Sequence, residues 1–195
     1  MTAYLFDIGN VLLRFDFTPA ARQLALLSEA STEEILTLLA PFKDDLESGR
    51  ISDADFIQQS SDLIRFRGTS AEFAAIWNDI FTPNEPMIPL IEALAQQHPL
   101  YLLSNTSGLH KDYFFAKYPF FSHFKGGIFS HEARCAKPGE AIFQRAIVTF
   151  DLDPASTVFI DDLADNIATA RRLGFVAHHY HHENHQVLLA QLGNP

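Results

Sequence analysis

The sequence predicts an α/β fold, a doubly wound, Rossmann-like parallel sheet with a helical cap inserted after its first strand. Three features carry this expectation. Short, predominantly apolar runs recur along the chain, helix-period stretches separate them, and one long early segment has helical periodicity without any such run.

The strand runs fall at residues 3–6, 100–103, 127–129 and 157–160. Strands buried on both faces of a parallel sheet read this way. Between them, Met87, Ile88, Leu90, Ile91, Leu94 and Ala95 recur at helical spacing. So do Ala141, Ile142, Ala146 and Ile147, and then Ile167, Ala168, Ala170 and Leu173, with Gly174 as a C-terminal stop. Alternation from Phe175 onward predicts a last strand running into an exposed loop.

Residues 15–84 break the rhythm, holding amphipathic stretches at 19–28, 33–39, 54–65 and 70–79. The expected division is a core of residues 1–14 and 85–195 with a helical cap of 15–84. Thr82-Pro83-Asn84-Glu85-Pro86 is the expected return hinge. The chain has no internal repeat and no low-complexity segment.

Composition narrows the function. A 195-residue chain that is 47% hydrophobic, with 18 Phe, can bury enough surface to offset its conformational entropy, which excludes disorder. Fourteen basic against 24 acidic residues give a net charge of −10, which repels polyanions and excludes nucleic acid as a principal partner. Cys135 has no second cysteine to pair with, no apolar run approaches the ~20 residues that span a bilayer, and no basic region leads into a secretory segment. A cytoplasmic location away from membranes is expected, with a monomer favoured and the oligomeric state otherwise open.

In open α/β sheets ligands gather at the carboxyl ends of the strands, so the polar residues that follow each apolar run are the candidates. Asp7 ends the first strand and Ser104-Asn105-Thr106 the second. Lys137-Pro138 precedes a helix after the third, with Pro138 suited to that helix's first turn, and Asp161, Asp162 and Asp165 follow the fourth. Phosphoryl transfer spreads negative charge over three oxygens and needs positioning and neutralisation more than proton chemistry. Asp7 supplies a carboxylate nucleophile able to form an aspartyl-phosphate. Asp7 and Asp162, with a backbone carbonyl near Gly9, supply hard oxygen ligands for Mg²⁺, while Asp161 and Asp165 support them. Ser104, Asn105 and Lys137 form the expected phosphate-binding set.

In this order, Phe6-Asp7-Ile8-Gly9-Asn10-Val11, Leu103-Ser104-Asn105-Thr106, Ala136-Lys137-Pro138 and Phe159-Ile160-Asp161-Asp162-Leu163-Ala164-Asp165-Asn166 resemble the four motifs of the haloacid dehalogenase superfamily. The resemblance is closest to its glucose-1-phosphatase-like members, related to the N-terminal domain of soluble epoxide hydrolase. It spans nearly the whole chain. It implies a magnesium-dependent phosphatase acting on a small phosphorylated metabolite, a sugar 1-phosphate among the candidates. Asp7 is then the nucleophile, Ser104 and Lys137 bind phosphate, and Asp162 is a direct metal ligand supported by Asp161 and Asp165.

One position departs from the common pattern. Most phosphatases of the superfamily carry a second Asp two residues after the nucleophile as general acid and base, where this chain has Gly9. The absent side chain accounts for roughly 100- to 10,000-fold in rate. The expectation is a substrate with a good leaving group, a sugar 1-phosphate or an acyl phosphate. In the cap, Glu47 and Arg50 flank the turn residue Gly49 and are the candidate leaving-group contacts.

Two rivals stand beside this reading. A 2-haloacid dehalogenase would use Asp7 on carbon without a metal, and a non-catalytic phosphate- or partner-binding relative would keep the fold alone. His178, His179, His181, His182 and His185 invite a transition-metal reading, but an exposed strand end explains them. The Phe-rich stretch at 113–124 is expected to be core packing, and Cys135 an inert thiol.

Overall fold

The computed structural model describes residues 2–193. Its main sheet comprises β1 (Ala3–Phe6), β4 (Leu100–Ser104), β5 (Gly126–Phe129), β6 (Thr157–Asp161) and β7 (Val176–His179). They run parallel in the order β5-β4-β1-β6-β7. The order places β1 centrally, and the chain leaves it for β4 and β5 on one side before returning through β6 to the other. The crevice at the carboxyl ends of β1, β4 and β6 is therefore the place where such a sheet binds ligands.

Side chains of the three central strands divide between two apolar layers by simple alternation. Tyr4, Phe6, Leu100, Leu102, Val158 and Ile160 pack into one layer with α6 (Met87–Ala95) and α7 (Gly108–Lys117). Ala3, Leu5, Leu103 and Phe159 pack into the other with α8 (Ser130–Ala133), α9 (Glu140–Phe150) and α10 (Ala164–Arg172). The Phe-rich stretch is core in the main, with Phe114, Phe120 and Phe121 buried in the first layer and Phe115 exposed. Gly174 stands at φ +93° directly after α10, the backbone region that glycine enters without steric cost. The last helix, α11 (His185–Leu192), returns Leu188 to the first layer.

Five helices lie between β1 and α6: α1 (Thr18–Leu26), α2 (Thr32–Leu39), α3 (Phe42–Glu47), α4 (Asp53–Ile64) and α5 (Ser70–Asn78). They enclose a third apolar cluster, including Leu24, Ile35, Leu39, Phe56, Phe73 and Trp77. Ser31 with Glu34 and Thr69 with Glu72 form complete capping boxes, which is why α2 and α5 begin where they do. Two short strands that the apolar pattern does not reveal frame this helical segment: β2 (Leu13–Phe15) pairs antiparallel with β3 (Phe81–Pro83). Thr82 and Pro83, expected in a hinge, are thus strand residues. The following Asn84 is buried, donating from Nδ2 to the Val11 carbonyl at 2.7 Å and to the Tyr180 hydroxyl at 2.8 Å. Among the described residues no helix is long and apolar enough to cross a membrane.

Candidate active site

Strand register assembles the site. Phe6 pairs with both Leu102 and Ile160, so the next residue, Asp7, stands level with Asp161, and Ser104 ends β4 one residue further on. The Asp7 N–H donates to the Ile160 carbonyl at 2.9 Å, continuing the sheet past the end of β1. Asp7, Asp161 and Asp162 then offer carboxylate oxygens that all lie within 4.8 Å of one another.

Lys137 answers them from the turn before α9. Its buried ammonium lies 2.8 Å from Asp7 Oδ1 and 2.6 Å from Asp161 Oδ2. Burial pushes the lysine down, but Asp7 and Asp161 together more than offset it and its pKa is raised. Pro138 does not start the helix as expected, because α9 begins at Glu140 with Gly139 as its cap, and Lys137 and Pro138 lie in the preceding turn. What fixes the lysine is Asn105. Its Oδ1 accepts from the Lys137 N–H and its Nδ2 donates to the Lys137 carbonyl.

The three carboxylates are not equivalent. Asp161 is fully buried and spent on hydrogen bonds, accepting from Lys137 Nζ, from the Leu163 N–H at 2.8 Å and from Asn166 Nδ2 at 2.9 and 3.0 Å. Asp7 is raised to about 7, first by burial and then by the neighbouring Asp161 and Asp162, with Lys137 opposing. Asp162 is also raised by burial and by Asp161, while Asn10 Nδ2, donating at 3.1 Å, pulls it down. Three carboxylates against one ammonium leave two formal negative charges in a low-dielectric crevice. Hard oxygen donors with that excess fit a divalent cation such as Mg²⁺, and Asp7 and Asp162 are the pair with oxygens not already committed.

Other expected residues sort by position. Ser104, Asn105, Gly9 and Glu47 line one cleft together with Phe15, Phe17 and Lys43. Burial raises Glu47 to about 7, Lys43 opposing it, with Asp44 and Asp7 adding to the rise. The backbone of Glu47 is tied to the core through a hydrogen bond from the Ser130 hydroxyl to its carbonyl, and Arg134 Nη1 donates likewise to the Gly49 carbonyl. Arg50 does not join the cleft. It is exposed, pairs with Asp45 at 2.6 Å and lines a separate depression with Asp53, His131 and Arg134. Asp165 is not brought in either, lying exposed at the start of α10 while its neighbour Asn166 reaches Asp161.

Asn10 and Asn166 are the site residues that the strand-end pattern passes over. Asn10 could have been found from the Gly9-Asn10 dipeptide, a turn signal, since its φ of 54° turns the chain and its amide then meets Asp162. Among the described residues the acidic trio is the one metal-competent group, and the C-terminal histidines form none. His179 Nε2 instead meets the Asp162 carbonyl at 2.8 Å, and His178 meets Gln191.

A buried ammonium among three converging carboxylates, at the carboxyl ends of a parallel sheet, is the site of a Rossmann-like hydrolase. The chain belongs to the haloacid dehalogenase-like hydrolase family, whose family model matches residues 1–174. It is 26% identical over 180 residues to a D-ribitol-5-phosphate phosphatase of Bacteroides thetaiotaomicron, covering 88% of this chain and 87% of that one. A HAD family enzyme from the same organism, solved in complex with magnesium and inorganic phosphate, superposes with a TM-score of 0.82 at 25% identity, covering 91% of this chain and 93% of the other. A predicted HAD-like family hydrolase from Porphyromonas gingivalis does so at 0.81 and 29% identity, over 100% and 98% of the two chains.

Proposed function

We propose that the chain is a magnesium-dependent phosphatase that hydrolyses a small phosphate monoester through an aspartyl-phosphate on Asp7. The observation that carries this reading is the convergence of Asp7, Asp161 and Asp162 on one point with Lys137 beside them. The dehalogenase reading needs no metal and gives that acidic excess no purpose. The magnesium and phosphate bound by the structural relative support the choice of cation and of anion.

When bound, Mg²⁺ neutralises charge on the phosphoryl oxygens, and Asp7 and Asp162, with the Gly9 carbonyl, would hold it while Asp161 supports them. The chain's own groups do the rest. One Asp7 oxygen forms a bond to phosphorus as the bond to the leaving-group oxygen breaks, and water then cleaves the acyl phosphate. Lys137 opposes protonation of Asp7 and pairs with a phosphoryl oxygen. Ser104 donates its hydroxyl to another, and Asn105, whose carboxamide is occupied by Lys137, contributes its backbone N–H.

The helical segment 15–84 acts as the cap over this step, excluding water from the core of 1–14 and 85–195. Glu47, facing the same cleft as Gly9, stands where a leaving group emerges and can give it a proton, a task the residue at position 9 cannot perform. The Gly9-Asn10 pair aligns the chain with the glucose-1-phosphatase-like group and favours good leaving groups, sugar 1-phosphates and acyl phosphates being the candidates.

The test is hydrolysis of an aryl phosphate with and without Mg²⁺, alongside halide release from a chloroacid. Metal-dependent phosphate release abolished by Asp7→Asn is the expected result. Halide release without metal, or magnesium binding without turnover, would replace it with one of the rivals.

A further inference from the structure

Beside the catalytic cleft lies a second hollow, a cavity of about 240 Å³ among the cap helices. Phe17, Ala21, Leu24, Ile35, Leu39 and Trp77 form much of its wall, and Lys43 is the one charged residue on it. For comparison, an apolar cavity of ~150 Å³ stays dry and takes up a benzene-sized guest. Phe15, Phe17 and Lys43 line both this cavity and the cleft that holds Gly9, Glu47 and Ser104, so the two spaces are neighbours with part of their lining in common.

Resting on the phosphatase reading, we propose that this cavity receives the leaving group and that the leaving group is apolar, an aryl or medium-chain alkyl or acyl unit. The argument is one of complementarity. A sugar or polyol placed there would lose water from several hydroxyls without gaining partners, because the wall offers almost none. The indole Nε1–H of Trp77 is itself buried, with no acceptor among the described residues, and so offers a ligand in the cavity no donor. An apolar chain, by contrast, exchanges water for carbon at every atom. Lys43, exposed and common to the lining of both spaces, is the cation available where the anionic phosphate joins the apolar group. Among the candidate substrates this selects an apolar acyl or aryl phosphate over a sugar 1-phosphate.

Trp77 is the chain's single tryptophan and therefore reports on the cavity directly. The experiment titrates hexyl phosphate, ethyl phosphate and D-ribitol 5-phosphate against the Asp7→Asn chain in Mg²⁺ and reads Trp77 emission. At about three- to fourfold per buried methylene, hexyl phosphate should bind on the order of 100-fold tighter than ethyl phosphate. Ala21→Leu should remove most of that preference by filling the cavity. Ala40→Leu, at an exposed helix end on the cavity rim, does the same with less risk to folding. Ethyl phosphate binding should stay within about twofold in both variants, since neither reaches the phosphate.

Equal affinity for hexyl and ethyl phosphate, tighter binding of the polyol ester, or a hexyl preference untouched by both filling variants would each overturn the proposal. So would a Trp77 signal that changes with protein concentration alone, which would put a second chain in the cavity. Binding is read here without turnover. An Asp7→Asn chain that binds hexyl phosphate as described, beside a wild type that hydrolyses no aryl phosphate, would refute the phosphatase reading and leave the pocket standing.

Discussion

Asn105 grips Lys137 by both of its backbone polar groups, accepting from the N–H and donating to the carbonyl, each at 2.9 Å. Through this clasp the end of β4 decides where an ammonium from a different crossover stands relative to Asp7. Asn105→Ala removes both bonds and leaves the N–H and carbonyl of a buried residue without this partner. The expected cost is about 1–3 kcal/mol of stability, with kcat falling while Lys137 loses its alignment. Asn105→Asp keeps the acceptor alone and should fall between the two in both thermal unfolding and turnover.

Lys137 itself is the counter-charge of a buried cluster. Lys137→Met would leave Asp7 and Asp161 facing one another without it. Breaking a buried ion pair in this one-sided way costs about 3–5 kcal/mol, so the metal-free variant should unfold well below the wild type. Mg²⁺ should recover part of that loss by binding only the folded chain. Turnover should drop by about 10²–10³-fold, as when an anion-binding donor is removed. A variant as stable and as active as wild type would show that Lys137 is no partner of the reacting anion.

Much of this arrangement is legible in the sequence, and the parts that are not have physical reasons. Apolar runs ended by acids locate β1 and β6, because a strand buried on both faces tolerates nothing else until it emerges at the crevice. The β2–β3 pair escapes notice because three residues are too few to show a period and Pro83 argues against a strand, although an edge position tolerates it. Adjacency in the sequence groups Asp165 with Asp161 and Asp162. Helical geometry turns it outward instead and brings Asn166 to Asp161. The clasp by Asn105 and the docking of Glu47 depend on residues brought together from distant segments, which no local pattern announces.

Proton and metal compete for Asp7. Its folded pKa of about 7 lies above the ordinary carboxylate value, so the metal-free fold prefers the protonated form. Ionised Asp7 therefore destabilises the metal-free chain, an effect absent below the unfolded value near pH 4 and fully present above pH 7. Glu47, also raised to about 7, contributes with the same sign. Stability without metal should fall as pH rises through this window, while Mg²⁺ affinity should rise over it with release of protons. Denaturant melts and calorimetry between pH 5 and 8, with and without Mg²⁺, measure both slopes. Mg²⁺ affinity that is flat across the window would mean Asp7 is not among the ligands.

Gly49 marks where the cap loop touches the core. At φ +66°, a Cβ there would clash with the His131 carbonyl oxygen, a backbone atom that cannot swing aside. Gly49→Ala should cost more than about 1 kcal/mol through strained backbone alone and should lift the loop, loosening the Ser130–Glu47 and Arg134–Gly49 bonds. Proteolysis within residues 41–52 should accelerate, and KM should rise. Wild-type protease resistance and KM in this variant would mean the contact does not hold the cap in place.

The missing side chain at position 9 gives the last prediction its form. A Cβ placed on Gly9 would come 3.3 Å from Cε1 of Phe15, a ring that is 37% exposed and free to give way. Gly9→Asp is thus a feasible substitution, and it restores an acid on the core side of the cleft. If Glu47 protonates the leaving group in the native chain, Glu47→Gln should slow alkyl phosphates by about 100-fold or more and acyl phosphates hardly at all, since the latter leave without help. The steeper dependence on leaving-group pKa should then flatten again in the Gly9→Asp, Glu47→Gln double variant. The pH profile supplies a second reading: the limb near pH 7 should disappear with Glu47→Gln and return, shifted, with the new aspartate. A Glu47→Gln chain whose leaving-group dependence matches wild type would remove Glu47 from proton transfer and leave its part in the cleft one of position alone.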